Sequence, residues 1–214
     1  MTRLTKLDND EYRWLIDTDE CYHYGEYTSK GGFRASDTNQ QIWNLKNKPS
    51  SGKGALYYKG EAVKYWGGIL ASCLELEYVN QFCTLVPMPC SKPTTHTEYD
   101  DRMLRVLKNL AQHKPSLDIR SLVIQTKERE SQHLGARLTP TELGQTLALD
   151  RNLLNKPIKP HIIVLDDVIT MGASYSAAQG ILQNIPGVKT VMGIFLAKTI
   201  WDRSELDDAL DAVF

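Results

Sequence analysis

The chain has 214 residues, 42% of them hydrophobic, with 25 Lys and Arg set against 26 Asp and Glu for a net charge of −1. That length carries one sizeable core with an appendage rather than two independent cores. The balanced charge gives no electrostatic footprint for nucleic acid, the apolar runs are too short for a membrane span, and the opening MTRLTKLDNDEYRW has no apolar stretch of secretory type, so a cytoplasmic protein is expected.

Glu20 to Lys48 reads as a small β-rich appendage. Cys21–Tyr27 alternates weakly, Ser29-Lys30-Gly31-Gly32 is a turn signal, and Gln41–Leu45 offers a second short strand. The polar, Pro- and Gly-bearing stretch Lys46–Gly54 marks a boundary, giving an appendage at 1–54, a core at 55–200 and a C-terminal helical tail at 201–214. Ser51-Gly52-Lys53-Gly54 does not complete a GxxxxGK[ST] pattern and is expected to be a turn rather than a phosphate loop.

From Gly60 the pattern turns helical, with Trp66, Ile69, Leu70 and Cys73 on one stripe. Phe82–Met88 is a strand, and Glu98–His113 is a helix that aligns Met103, Val106, Leu107 and Leu110. Ile119–Gln125 is a further strand, and Thr126–Thr141 is polar and aperiodic. Strand, helix and strand then follow at 161–165, 173–185 and 190–197. Near the C-terminus Leu206, Ala209, Leu210 and Val213 form one more amphipathic stripe. Strands alternating with helices predict an α/β fold, a mostly parallel twisted sheet flanked by helices, with ligands at the C-terminal strand ends.

Cysteines 21, 73, 83 and 90 form no CxxC pair, so reduced thiols are expected. The five histidines at 23, 96, 113, 133 and 161 have no metal-ligand spacing. Cys90 has no partner His identifiable in the sequence and reads as a small residue in a tight loop rather than a nucleophile.

The most informative segment is His161–Ala178, HIIVLDDVITMGASYSAA. An apolar strand delivers Asp166 and Asp167 to its C-terminal end. Thr170-Met171-Gly172-Ala173-Ser174 then turns into a helix N-terminus. Backbone N–H groups of such a turn point at an anion. Each of the Thr170 and Ser174 hydroxyls can add about 1.5–3 kcal/mol to phosphate binding. Two acids repel phosphate, so sugar hydroxyls or a metal carried by the ligand are their fitting partners. The competing reading is an ordinary strand–turn–helix with solvated acids.

The segment resembles the phosphoribosyl-pyrophosphate signature of type I phosphoribosyltransferases: apolar strand, two acids, two apolar residues, Thr, any residue, Gly, a small residue, Ser or Thr. The resemblance implies that fold, that Asp166 and Asp167 hold the ribose hydroxyls and, through ligand-bound Mg²⁺, a metal, and that Thr170, Met171, Gly172, Ala173 and Ser174 wrap the 5-phosphate. Val86-Pro87-Met88-Pro89-Cys90-Ser91-Lys92 is similar to the ComF-type pyrophosphate loop. The implied roles are a cis peptide at Cys90-Ser91 and a pyrophosphate cation at Lys92. The chain departs from ComF-type proteins at Tyr99-Asp100-Asp101-Arg102, and it lacks their four-cysteine zinc ribbon. Asp100 and Asp101 are expected to do no more than complement a helix dipole.

Lys127–Leu138 lies where type I enzymes carry a mobile loop that closes over the reaction centre. The resemblance implies basic residues there for the leaving pyrophosphate, with Lys127 and Arg129 as catalytic candidates and Arg137 behind them. The acceptor would be recognised by a variable hood, here residues 1–54, the C-terminal tail, or both. The implied activity is Mg²⁺-dependent transfer of ribose 5-phosphate from phosphoribosyl pyrophosphate to a nitrogen nucleophile. The implied partners are phosphoribosyl pyrophosphate and a nucleobase or nucleotide, with no nucleic acid and no membrane, and a homodimer is left open. The alternatives are a non-catalytic sensor of the same ligand and the reverse chemistry, hydrolysis or phosphorolysis of a nucleotide. Exchanging both acids for Asn is expected to abolish binding and leave the fold intact.

Overall fold

The run Ile162–Leu165 is continuously apolar because its strand is covered on both faces. The computed structural model of the protein describes residues 3–129 and 138–201. In chain order its elements are β1 (Thr5–Lys6), β2 (Glu20–Thr28), α1 (Asp37–Leu45), α2 (Lys53–Cys73), α3 (Leu76–Phe82), β3 (Cys83–Pro87), α4 (Arg102–Leu110), β4 (Asp118–Ile119), β5 (Val123–Gln125), α5 (Pro140–Gly144), β6 (Leu147–Leu149), β7 (His161–Ile169), α6 (Ala173–Leu182) and β8 (Thr190–Ile200).

Six strands form one sheet in the order β1-β2-β8-β7-β3-β4. β1 runs antiparallel to β2, and every other neighbouring pair is parallel. β5 and β6 form a separate antiparallel pair. The fold is therefore α/β and Rossmann-like, with a mostly parallel sheet between helices. From β3 the chain goes outward to β4, then returns on the other side of β3 as β7. The strand order reverses at that point, and a crevice opens beyond the C-terminal ends of β3 and β7.

Alternate residues of β7 feed two cores. Ile163 and Leu165 pack with Trp66, Leu70, Met103, Val106, Leu107 and Leu110 from α2 and α4. Ile162 and Val164 pack with Leu7, Tyr12, Leu15, Tyr175 and Leu182, from the N-terminal segment and α6. The α4 stripe is buried as its spacing predicts. α2 and α4 approach closely at Gly67, where a Cβ would lie 2.2 Å from Asn109 Oδ1.

The first 54 residues are not an appendage. β2 pairs with β8 over eight registered positions from Glu20–Met192 to Thr28–Ile200, and so extends the main sheet. Gln41–Leu45 is not a strand but the end of α1. Ile42 and Leu45, three apart, are fully buried while Trp43 is 51% exposed, a helical spacing and not an alternating one. Ser36 caps α1 by accepting the Asn39 N–H at 3.0 Å. α2 begins at Lys53 rather than Gly60, so a helix does follow Ser51-Gly52.

The expected strand Ile119–Gln125 is two strands, β4 in the main sheet and β5 outside it. Arg120 sits between them and fixes the return to β7. It donates to Asp118 Oδ1, Leu153 O, Lys156 O and Pro157 O, all at 2.8–3.0 Å. The outer part of the expected mobile loop, residues 130–137 including Arg137, and the tail beyond Trp201 lie outside the described residues. Among the described residues no helix is long and apolar enough to cross a membrane.

Candidate functional site at the strand reversal

β7 carries Asp166 and Asp167 to its C-terminal part, where the strand pattern turns them to opposite sides. Asp166 is half-buried, and its Oδ1 accepts the Asp167 N–H at 2.8 Å. Asp167 is 5% exposed and fully engaged. Its Oδ1 meets Lys46 Nζ at 3.1 Å, and its Oδ2 accepts from Arg102 Nε at 2.8 Å and Nη2 at 2.7 Å. Burial raises the Asp167 pKa, but Lys46 and Arg102 overcome it and hold the carboxyl well below the ordinary range. Asp166 goes the other way: burial first, then the adjacent Asp167 charge, push it up to about 7.

The pairing continues inward. Arg102 Nη1 meets Asp100 Oδ2 at 3.0 Å, and Lys59 Nζ meets the same oxygen at 2.8 Å. Lys59, 2% exposed, also donates to Leu45 O at 2.8 Å and Asn47 O at 2.7 Å. One chain of charges thus runs Lys59–Asp100–Arg102–Asp167–Lys46, tying the α1–α2 connection to the acid on β7. A buried charge is tolerable only when paired and hydrogen-bonded in this way.

Thr170, Met171, Gly172, Ala173 and Ser174 line a small cavity of about 40 Å³ together with Asp166 and Trp14. Gly172 has φ +87°, the left-handed conformation that glycine adopts freely, and it precedes the first residue of α6. No side chain caps that helix end. The N-terminal segment forms the wall of this cavity: the Trp14 N–H donates to Met171 O at 3.1 Å, and Leu15 packs beside Gly172.

Beyond β3 the loop Cys90-Ser91-Lys92 lines a larger cavity of about 510 Å³, with Lys46, Glu98, Asp100, Arg102 and Glu128 among its other walls. The Asp100 N–H points to Cys90 Sγ at 3.3 Å, which holds the loop against the start of α4. The Cys90–Ser91 peptide is trans, as are all described peptide bonds, so the cis geometry expected there is not present. Lys92 is ion-paired with Glu128, and His96 Nε2 lies 3.6 Å from Glu128 Oε2.

Of the three basic residues expected on the mobile loop, Lys127 and Arg129 are described, and of these only Arg129 reaches the site. Its backbone N–H donates to Ser91 O at 3.0 Å and its Nε to Gln125 Oε1 at 3.2 Å. Burial lowers its pKa, and the nearby Asp166 partly restores it. Lys127 is exposed and lines neither cavity.

The structure therefore brings Asp166, Asp167, the Thr170–Ser174 turn, Cys90, Ser91, Lys92 and Arg129 to one end of the sheet. It corrects the reading of Asp100, which is a buried ion-pair partner and not a dipole complement. It also adds Lys46, Lys59 and Trp14. Lys59 did leave a signal: extending the buried α2 stripe of Trp66 and Ala62 back by one turn lands on a lysine.

Among the described residues no three His, Cys, Asp or Glu side chains converge on a metal position. With Asp167 occupied by two cations, Asp166 is the acid of the pair with an oxygen that has no partner among the described residues. That donor set fits an ion carried in by a ligand rather than a resident one. No protein-family model and no curated protein matches this chain.

Proposed function

We propose that this chain is a phosphoribosyltransferase of the type I kind, binding phosphoribosyl pyrophosphate with Mg²⁺. The observation that carries this reading is the Asp166–Asp167 pair at the strand reversal. It stands between a glycine turn opening a helix and a large cavity bearing Lys92 and Arg102.

In this reading the 5-phosphate takes the Thr170–Ser174 turn and the uncapped N–H groups of α6. Asp166 accepts from the ribose hydroxyls, while Asp167 holds Arg102 and Lys46 in place for the pyrophosphate. Lys92 and the backbone of Cys90 and Ser91 complete the pyrophosphate side once Lys92 exchanges Glu128 for the ligand. Magnesium, bound through ligand oxygens and Asp166, would neutralise charge on the leaving group.

The acceptor nitrogen donates its lone pair to ribose C1, the bond from C1 to the pyrophosphate oxygen breaks with its electron pair leaving on pyrophosphate, and the acceptor's proton passes to solvent. Arg102, Lys46 and Lys92 stabilise the charge that accumulates on the departing oxygens, and positioning supplies much of the remainder. Arg129, docked on Ser91, closes the same side.

The test is pyrophosphate release from phosphoribosyl pyrophosphate and Mg²⁺ across a panel of nucleobases. Release with at least one base, lost in Asp166→Asn, is the expected result. Saturable binding without release across the panel would leave a sensor of this ligand, and absence of binding would overturn the reading altogether.

A further inference from the structure

One carboxylate spans two donors at the wall of the large cavity. Glu128 Oε1 meets Lys92 Nζ, and Glu128 Oε2 lies 3.6 Å from His96 Nε2. All three side chains line that cavity with Lys46 and Arg102, and all remain accessible from it: Lys92 is 27% exposed, His96 29% and Glu128 55%.

The imidazole is oriented for this contact. His96 Nδ1 accepts the Glu98 N–H at 2.9 Å, which leaves the proton of the neutral ring on Nε2, the nitrogen that faces Glu128. His96 thus presents an N–H to the carboxylate without needing to carry a charge.

Glu128 is held from behind. Gln125, 4% exposed, donates from Nε2 to Lys127 O at 2.6 Å and accepts from Arg129 Nε at 3.2 Å. The Arg129 N–H is fixed on Ser91 O at 3.0 Å. Both chain neighbours of Glu128 are therefore anchored, one of them on the loop that carries Lys92. A lysine–glutamate pair on an open surface is a loose contact. Here a buried glutamine and a backbone bond set where the carboxylate stands. Two anionic oxygens facing an ammonium and an N–H, with two more cations in the same cavity, reproduce what an edge of a phosphate group would meet.

We infer that Lys92 and His96 form the seat of one phosphate group of the pyrophosphate, and that Glu128 is an intramolecular competitor filling that seat until the ligand displaces it. This rests on the transfer reading above, since it concerns the pyrophosphate side of that reaction. It adds His96 to the groups that bind the ligand, and it makes Glu128 a brake. The apparent affinity of the seat is lowered by the fraction of molecules in which Glu128 occupies it.

The test is calorimetric titration of the full chain with inorganic pyrophosphate. Glu128→Gln keeps the size of the side chain and removes its charge, and should bind pyrophosphate about threefold or more tightly, the scale of one accessible ion pair released. In a Lys92→Met background the same exchange should change affinity by less than about 1.5-fold, because the competitor has lost its main anchor, whereas a general effect of removing one negative charge would persist. His96→Phe, made in the Glu128→Gln protein, should weaken binding by about threefold or more, the scale of one hydrogen bond to a charged acceptor. Unchanged or weaker binding in Glu128→Gln, an equal gain with and without Lys92, or no loss in His96→Phe would each overturn the inference. Titration with phosphoribosyl pyrophosphate and Mg²⁺ in parallel separates the two levels. If it binds and Glu128→Gln leaves both affinities unchanged, only this inference falls. If pyrophosphate shows the expected pattern and phosphoribosyl pyrophosphate does not bind, the transfer reading falls and the seat stands; binding of neither overturns both.

Discussion

Arg102 grips Asp167 with two nitrogens on one oxygen, Nε at 2.8 Å and Nη2 at 2.7 Å, and turns its third nitrogen to Asp100 at 3.0 Å. A single guanidinium therefore balances two buried acids whose side chains are 7% and 8% exposed. Removing one partner of a buried pair typically costs about 3–5 kcal/mol, because the charge left behind has lost its solvent as well as its partner. Arg102→Ala should destabilise the protein by about 3 kcal/mol, the low end, since Lys46 and Lys59 still reach the two acids. Arg102→Lys, which keeps the charge but not the fork, should fall between. Urea unfolding at neutral pH measures both, and an Arg102→Ala midpoint equal to the parent's would contradict the pairing.

Asp166 and Asp167 are neighbours in sequence whose pKa values move apart, up to about 7 for Asp166 and downward for Asp167. The sign for Asp166 follows from linkage. A carboxyl whose folded pKa is raised favours the folded state at low pH, and that advantage is lost as pH rises through the folded value. At pH 5 Asp166 carries a proton, and Asn is close to it in shape and charge. At pH 8 the parent bears two adjacent carboxylates and the Asn variant only one. Asp166→Asn should therefore raise stability at pH 8 by about 1–2 kcal/mol, less than the full shift implies because the group is half-exposed, and by only about a third of that at pH 5, where the unfolded carboxyl is already ionised while the folded one keeps its proton. Thermal midpoints at the two pH values decide it, with an expected gain of about 2–4 °C per kcal/mol at the higher one. The earlier expectation for the double exchange changes accordingly. Replacing Asp167 as well strips Arg102 and Lys46 of their anion, so the double variant should unfold more easily, and only Asp166→Asn tests binding cleanly.

β7, its turn and α4 were legible because their signals are local: an apolar run, a glycine in a fixed place, a stripe repeating at three and four residues. What escaped the sequence is held across long separations. Arg102 and Asp167 are 65 positions apart, Lys59 and Asp100 are 41 apart, and no short window contains either pair. β2 was legible as a strand but not as a member of the main sheet, since its partner β8 lies at the far end of the chain. Gln41–Leu45 was misread because five residues cannot separate a short strand from the end of a helix, and the cap that decides it, Ser36, lies outside the run.

Gly172 has φ +87°, and a Cβ there would lie 3.0 Å from Leu15 Cδ2. A side chain in the left-handed region costs about 1–2 kcal/mol before any contact is counted. Gly172→Ala should therefore lower stability by about 1–2 kcal/mol and weaken ribose 5-phosphate binding more than the stability loss explains, because the turn itself forms the candidate phosphate seat. Gly187→Ala has a similar φ of +90° with open space around the added carbon, so it carries the backbone strain alone. Comparing ribose 5-phosphate affinity in the two variants separates strain from site, and equal affinities would remove the turn from the binding surface.

Lys59 is the innermost member of the charge chain and lies outside the walls of both cavities described above, yet it fixes two things at once. It holds the carbonyls of Leu45 and Asn47, which flank Lys46, and it holds Asp100, which orients Arg102. Lys59→Met keeps the length and apolar body of the side chain and deletes the ammonium. Asp100 then relies on Arg102 alone, and stability should fall by about 3 kcal/mol. Both cations nearest Asp167 should also lose their fixed positions, so inorganic pyrophosphate should bind about tenfold or more weakly under conditions where the variant remains folded, the scale of one lost charge-assisted contact. Lys64→Met is the matched control on the same helix. Its lysine is 68% exposed and paired with Glu61 one turn away, a solvated arrangement that contributes little to stability. Pyrophosphate titration of the two variants, with urea unfolding alongside, should show the affinity loss in Lys59→Met only. A stability loss there with pyrophosphate affinity intact would show that the buried lysine supports the fold without shaping the site.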